Sequence, residues 1–254
     1  MLQVTVLGCG SSTGVPQVSC NCSVCSSADE KNKRLRSSIL LNVNGKIIII
    51  DTSPDFRQQA LRYGIPKPDA VLYTHDHADH IGGADDIKTM VNDDETIPVF
   101  ATELVAHTLK LKFRYLFEHV TRFYNKKMSI NIFNHESFSA AGVSVTPILQ
   151  THGESVSHGF RIGNFMYSTD VNELSDDAFS SIEGVHTWII GCIRYCKSPT
   201  HCNVEKALRW IDRVQPRHAI ITHMGHEVEY NELASLLPKN VEPAYDGMIL
   251  NLAN

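Results

Sequence analysis

The chain predicts an α/β fold in which two β-sheets pack face to face with helices outside. Three observations carry this expectation. Apolar runs of strand length recur along all 254 residues. Helical stretches fall between those runs in both halves. Metal-ligating residue types stand just past several of the runs, at the strand ends where α/β sheets place their chemistry. Burying this many strands calls for stacked layers, and two sheets between helices is one of the few architectures that does so.

Taken in order, residues 2–7 open as a strand, and strands follow at 38–43 and 46–50. Val43-Asn44-Gly45-Lys46 joins the latter two as a hairpin, because Asn-Gly supplies the positive φ of a two-residue turn. A helix is expected over 54–63 behind a Ser53 cap. Strands at 70–73 and 98–101 come next, then a helix at 103–117. Further strands are expected at 143–149, 158–162, 164–167, 187–191, 219–222 and 248–252, with a second hairpin turn at Ile162-Gly163-Asn164. Helices complete the pattern at 176–182 and, behind Asn203, at 204–214. No repeat, low-complexity tract or long linker divides the chain, so residues 1–254 read as one domain.

The bulk composition narrows the functional class. The chain is 43% hydrophobic, enough for a real core, and carries a formal charge of −5. Proteins that grip nucleic acid through phosphates usually show a basic field, so a nucleic-acid partner is not expected. No apolar run approaches the roughly 18–20 residues of a membrane helix. The opening strand has no basic region or cleavage site, which leads to an expectation of a cytoplasmic protein. Seven cysteines, an odd number, then read as thiols or metal ligands rather than as a disulfide framework.

His75-Asp76-His77-Ala78-Asp79-His80 is the most informative stretch. A helix would spread these side chains around its circumference and a strand would split them between two faces. The preceding residues 70–73 look like a buried strand, and Ile81-Gly82-Gly83-Ala84 like the entry to a helix. The candidate ligands His75, His77, Asp79 and His80 are therefore expected on a loop, folded around two adjacent cations. They cannot fill two coordination shells alone. His152, Asp170 and His223 each follow an apolar run in the same way, and a carboxylate such as Asp170 can bridge two ions. Imidazole suits Zn and Mn, so the metal stays open between them. Two cations roughly 3.5–4 Å apart would lower the pKa of a shared water and provide a bridging hydroxide. Asp76 is a candidate to orient a ligating His, or else a solvated carboxylate.

The His-x-His-x-Asp-His motif, the later His152, Asp170 and the final His223 resemble the metallo-β-lactamase superfamily in kind and order. The resemblance implies a four-layer αββα sandwich with a dinuclear site at one edge. It implies that His75, His77 and His152 hold one metal, that Asp79, His80 and His223 hold the other, and that Asp170 lies between.

Cys20-Asn21-Cys22-Ser23-Val24-Cys25 places three thiols close enough to wrap one tetrahedral Zn with a fourth ligand from elsewhere. His226, three residues past His223, is the best fourth; Cys9 is the other candidate. Together with residues 8–16, this loop is similar to the PhnP-like cyclic phosphodiesterase branch, related to tRNase Z. There, such a loop and such a His hold a structural zinc. The same likeness implies that His201, in Pro199-Thr200-His201-Cys202-Asn203, contacts the phosphate or acts as general acid toward the leaving alcohol. Asp79 and Asp170 complete the implied catalytic set. The spacing of Cys192, Cys196 and Cys202 matches no tight zinc pattern.

Residues 103–127 depart from that branch. His107, Lys110, Lys112, Arg114, Arg122, Lys126 and Lys127 are interleaved there with Phe113, Tyr115, Leu116, Phe117, Phe123 and Tyr124. The stretch reads as an amphipathic helical insert whose aromatics face the core or a partner subunit in a homodimer, or as a lid over an anionic substrate. The leading expectation is a metal-dependent phosphodiesterase for a small or cyclic phosphodiester. Four rivals stand beside it: tRNA 3′ processing, thioester or lactam hydrolysis, an oxidase-like role in pyrroloquinoline quinone synthesis, and a non-enzymatic metal-binding module.

Overall fold

The computed structural model describes residues 1–119 and 125–252. Six strands build most of the first sheet: β1 (Leu2–Gly8), β2 (Ser38–Val43), β3 (Lys46–Ile50), β4 (Ala70–Leu72), β5 (Ile97–Ala101) and β6 (Met128–Ile132). The next seven form the second: β7 (Phe138–Ala140), β8 (Val143–His152), β9 (Ser155–Ile162), β10 (Phe165–Ser168), β11 (Thr187–Gly191), β12 (His218–Thr222) and β13 (Val241–Pro243). The last strand, β14 (Ile249–Leu252), crosses back to pair with β1. The orders are β14-β1-β2-β3-β4-β5-β6 and β13-β12-β11-β10-β9-β8-β7. Both sheets are mixed, antiparallel on one side and parallel on the other. Among the described residues no helix is long and apolar enough to cross a membrane.

Alternation along the strands makes the layers. In β3, Ile48 and Ile50 join the large core cluster between the sheets, while Ile49 joins a second cluster on the outer face. In β4, Ala70 and Leu72 face inward and Val71 outward. The inner cluster is completed from the other sheet by Phe160, Tyr167, Ile189 and Ile220, which share one face by register. The outer face of the first sheet is covered by α1 (Phe56–Tyr63) and α3 (Glu103–Phe117), through Phe56, Leu109 and Leu116. On the second sheet lie α4 (Asp176–Ser181) and α5 (Val204–Val214), where Phe179 and Trp210 meet edge to face at 6.0 Å. This is the αββα sandwich that the sequence predicts.

Both predicted hairpins are present: Asn44 and Gly45 take φ of 51° and 87°, and Gly163 takes 56°. Several details differ from expectation. The first helix begins at Phe56, two residues later than Pro54, and Ser53 does not cap it. Ser53 Oγ instead accepts from the Asp55 N–H, and the Asp55 carboxylate is occupied by Arg36. The His/Asp stretch is not entirely loop, because α2 (Ala78–Ile81) turns Asp79 and His80 inward on one helical turn. Gly83 then passes so close to β3's exit that a Cβ there would lie 2.1 Å from the Ser53 carbonyl oxygen. A further helix, α6 (Tyr230–Leu236), follows Glu229, whose carboxylate caps the Glu232 N–H.

Within 103–127, α3 ends at Phe117. Leu116 and Phe117 are buried in the outer cluster, with Phe113 and Tyr115 packed against it. His107, Lys110, Lys112 and Arg114 are exposed, and Lys127 is buried against Asp93 at 2.7 Å. Arg122, Phe123 and Tyr124 lie outside the described residues. For the remainder, the aromatic positions face the core.

Candidate metal centre

The strands that carry the site end at a common edge. Asp51 follows β3, Thr74 and His75 come just after β4, His152 is the last residue of β8, Asp170 comes just after β10, and His223 follows β12. Asp51, Asp170 and His223 leave their strands with left-handed φ of 62°, 49° and 56°. Asp and His adopt this region more readily than most side chains.

Two groups of ligand atoms result. His75, His77 and His152 form one; Asp79, His80, Asp170 and His223 form the other, and within each group the atoms lie within 4.8 Å of one another. Asp170 touches both: Oδ2 is 3.0 Å from His80 Nε2, while Oδ1 is 3.3 Å from His223 Nε2 and 3.7 Å from His152 Nε2. His75, His80, His152, Asp170 and His223 are buried, whereas His77 is exposed.

The Nε2 atoms of His75, His80 and His223 are buried and make no hydrogen bond. Such atoms are costly to leave unpaired. His80 Nε2 lies 3.1 Å from Asp79 and 3.0 Å from Asp170, yet neither contact has hydrogen-bond direction. Ligand-type atoms are thus gathered closely around buried nitrogens that no protein group satisfies. That is how ligands surround a cation, and the His/Asp set fits a hard or borderline divalent ion.

The opposite nitrogens are all engaged. His80 Nδ1 donates to Asp51 Oδ2 at 2.7 Å. Thr74 donates to Asp51 twice, from its N–H at 2.9 Å and its hydroxyl at 2.8 Å. With that hydroxyl committed, His75 Nδ1 is the donor in its 3.0 Å contact with Thr74 Oγ1. One buried carboxylate thus orients a histidine in each group. Likewise Ser37 donates to the Gly10 carbonyl, so His223 Nδ1 donates to Ser37 Oγ at 3.0 Å. His152 Nδ1 donates to the Thr200 carbonyl at 2.8 Å. These bonds leave Nε2 of each ring as the ligating atom.

The electrostatics agree. Burial alone disfavours an imidazolium at His80, but Asp170, Asp51 and Asp79 together outweigh it and hold its pKa well above the usual value. A proton there stands in for the positive charge that three carboxylates demand. Burial, reinforced by neighbouring histidines, keeps His75 and His152 low and brings His223 down to about 4, the neutral form a ligand needs. Burial would raise Asp170, yet His223, His80 and His201 overcome it and hold the carboxyl far below its ordinary range.

His201 joins the same centre. Its Nε2 is 3.0 Å from Asp170 Oδ1, its Nδ1 is 2.7 Å from Thr200 Oγ1, and its ring stacks on His223 at 5.2 Å. Asp76 turns away and accepts from Thr108 Oγ1 of α3 at 3.0 Å, so it fastens α3 and orients no ligand. Asp51 is the carboxylate that sequence reasoning missed, although it follows the apolar run 46–50 just as Asp170 and His223 follow theirs. Thr74 and Ser37 gave no such signal.

A second cluster joins the 20–25 loop, after β1, to His226 on the loop beyond β12. The ligand atoms of Cys20, Cys22, Cys25 and His226 lie within 4.8 Å of one another, with Cys20 and Cys22 Sγ 3.4 and 3.5 Å from His226 Nδ1. The Cys25 N–H and then His226 bring the Cys22 thiol down to about 6, toward the thiolate that binds metal. Cys9 is elsewhere, its Sγ against the Ala244 carbonyl and Asp246, so it is not the fourth member. Buried Arg34 holds the loop by donating to the carbonyls of Gly225 and Val228, at 3.2 and 2.8 Å.

A family model described as the β-lactamase superfamily domain matches residues 46–224. The crystal structure of a diphosphatase from the PhnP family superposes with a TM-score of 0.93 at 33% identity, covering 100% of this chain and 98% of that one. Zn(2+)-bound PqqB from Methylobacterium extorquens gives a TM-score of 0.79 at 19% identity, over 98% and 100% of the two chains. An octanoyltransferase of Porphyromonas gingivalis is 34% identical over 251 residues, 97% of this chain and 51% of that protein. The chain thus spans about half the length of that curated relative. The ordered His/Asp edge, the sandwich beneath it and these matches have one conclusion: the chain belongs to the metallo-β-lactamase superfamily and is PhnP-like within it.

Proposed function

We propose that the chain is a metal-dependent phosphodiesterase acting on small or cyclic phosphodiesters or diphosphates. The observation that supports this best is the convergence of seven His and Asp side chains with three unpartnered, buried Nε2 atoms. In this reading His75, His77 and His152 hold one divalent ion, Zn or Mn. Asp79, His80 and His223 hold the other, and Asp170 reaches both. Cys20, Cys22, Cys25 and His226 hold a structural Zn. When bound, the ion pair supplies hydroxide near neutral pH and stabilises charge on the attacked phosphorus. The chain supplies the rest. Asp51, Thr74, Ser37 and the Thr200 carbonyl fix the imidazole orientations. His201, beside Asp170, carries a proton at Nε2 that it can give to the departing alkoxide, with Thr200 steadying its other nitrogen. The PhnP-family diphosphatase is a relative consistent with this class of bond, and the acidic balance of the chain favours a small substrate over a nucleic acid.

The name of the Porphyromonas gingivalis relative supports a second reading, acyl chemistry, since the same centre would suit an attacked carbonyl. Metal-loaded protein should therefore be screened against bis(p-nitrophenyl) phosphate, cyclic nucleotides, an octanoyl thioester and nitrocefin. Phosphodiester turnover abolished by chelators and by His75→Ala is expected. Turnover of the thioester alone would overturn the phosphodiesterase reading.

A further inference from the structure

Beside the candidate centre lies a cavity of about 440 Å³ whose inner wall is Thr74, His75 and Asp76. Three elements close it. The cross-strand pair Leu149–His158, with Val156 two residues along on the same face, forms one side. Phe133, Asn134 and His135, just after β6, form the second. Glu103 and Leu104, on the first turn of α3, form the third. Leu104, Leu149 and Val156 are 61%, 45% and 50% exposed, so three large aliphatic side chains meet solvent where the cavity opens. The Phe133 ring stands edge-on to His158 at 5.4 Å. Burial lowers His158 to about 4, so it is a neutral ring in this wall.

Polar groups stand at the inner wall and at the rim. Asn134, His135 and Glu103 are exposed, and Asp76 keeps a carboxylate at the inner wall. Side walls of Leu104, Phe133, Leu149 and Val156 with polar groups behind and in front of them give the mixed lining of a small-molecule site. Two carboxylates and no Lys or Arg argue against a second phosphate there. Apolar side walls with hydrogen-bonding groups at the inner wall and the rim match a heteroaromatic ring, which has apolar faces and polar edges.

We propose that this cavity receives the nucleobase of a nucleotide-type substrate whose scissile phosphate lies at the metal centre. The proposal rests on the phosphodiesterase reading and narrows it. It also gives the start of α3 a role: its first turn is a wall of the substrate site.

The test compares two diesters with the same leaving group, thymidine 5′-p-nitrophenyl phosphate and methyl p-nitrophenyl phosphate. In both, water replaces p-nitrophenolate on phosphorus. The nucleoside ester should be favoured about 10- to 100-fold in kcat/KM, mainly through KM, as stacking of one base would give. Leu149→Asp, and separately Leu104→Asp on an exposed helix turn, should reduce that ratio to within about threefold. A binding measurement stands beside the kinetics. In saturation-transfer NMR of thymidine 5′-monophosphate with Zn-loaded protein, the base protons should take up more saturation than the ribose protons. A wild-type ratio near one, a ratio unmoved by both variants, or equal saturation of base and ribose would overturn the proposal alone. Failure to hydrolyse either ester with metal present would refute the phosphodiesterase reading and this inference with it.

Discussion

Asp51→Asn should disable both ligand groups at once. Asp51 Oδ2 takes the His80 Nδ1–H at 2.7 Å and the Thr74 hydroxyl at 2.8 Å, while Oδ1 takes the Thr74 N–H at 2.9 Å. An amide can present oxygen at only one of these positions. Its best orientation keeps the oxygen on His80 and Thr74 Oγ1, and sets its amine against the Thr74 N–H. One buried donor is then orphaned, at about 1–3 kcal/mol, and two hydrogen bonds lose charge assistance. A destabilisation of about 2–4 kcal/mol follows, a fall in Tm of roughly 5–15 °C for a chain of this size. Losing an outer partner of a ligand costs about 10–100-fold in metal affinity or activity. Here His80 is held directly and His75 through Thr74, so the affinities for both ions should fall. Ser37→Ala, which touches only His223, should weaken one ion and spare the other. Metal content by mass spectrometry after dialysis against graded chelator, with thermal melts alongside, reads both effects. An Asp51→Asn protein that retains both ions at wild-type affinity would refute the shared-carboxylate argument.

Three further outcomes are expected. His201→Ala should lower turnover of an alkyl diester about 10²–10⁴-fold, and much less for a p-nitrophenyl leaving group that needs no proton; equal losses on both would remove the general-acid role. Cys22→Ser should release one Zn equivalent and lower Tm by at least about 5 °C, while chelator-resistant metal at the His/Asp centre stays, as elemental analysis would show. Asp246 is pushed up to about 6, chiefly by burial. Its folded pKa lies above its unfolded value, so its contribution is complete below about pH 4 and is lost as pH rises through about 6. That amounts to about 3 kcal/mol. Urea denaturation from pH 4 to 7 should show this downward slope in the native chain and its loss in Asp246→Asn; parallel slopes would exclude Asp246 as the source.

Much of this was legible in the sequence because apolar runs marked every interior strand. The three strands missed are all at sheet edges. β6 ends on an exposed Ile132, β7 spans only Phe138–Ala140, and β13 contains Pro243. An edge strand has one paired side and less burial to encode, and Pro is tolerated there. The ligand set could be read because each member had a distinctive side chain past a strand. Asp51 obeys the same pattern after residues 46–50, but its partners His80 and Thr74 are met only in the folded chain. The cradle around the imidazoles was less accessible. It uses a serine, a threonine and a backbone carbonyl from sequence-distant segments, and only the folded chain brings these to the rings. Asp76 was the converse case, since its neighbours in sequence suggested a metal role and its neighbour in space is Thr108.

The reversed torsions at Asp51, Asp170 and His223 have a consequence for how the chain can vary. At each of these positions glycine would be the conformationally relaxed choice. Random substitution screened for heat resistance alone should therefore tolerate glycine comparatively well at Asp170 and His223, though not at Asp51, whose carboxylate holds Thr74 and His80, even as every such clone becomes chemically silent. Thermal endurance and turnover would separate at these corners, and selection that monitored only the first would erode the second unnoticed.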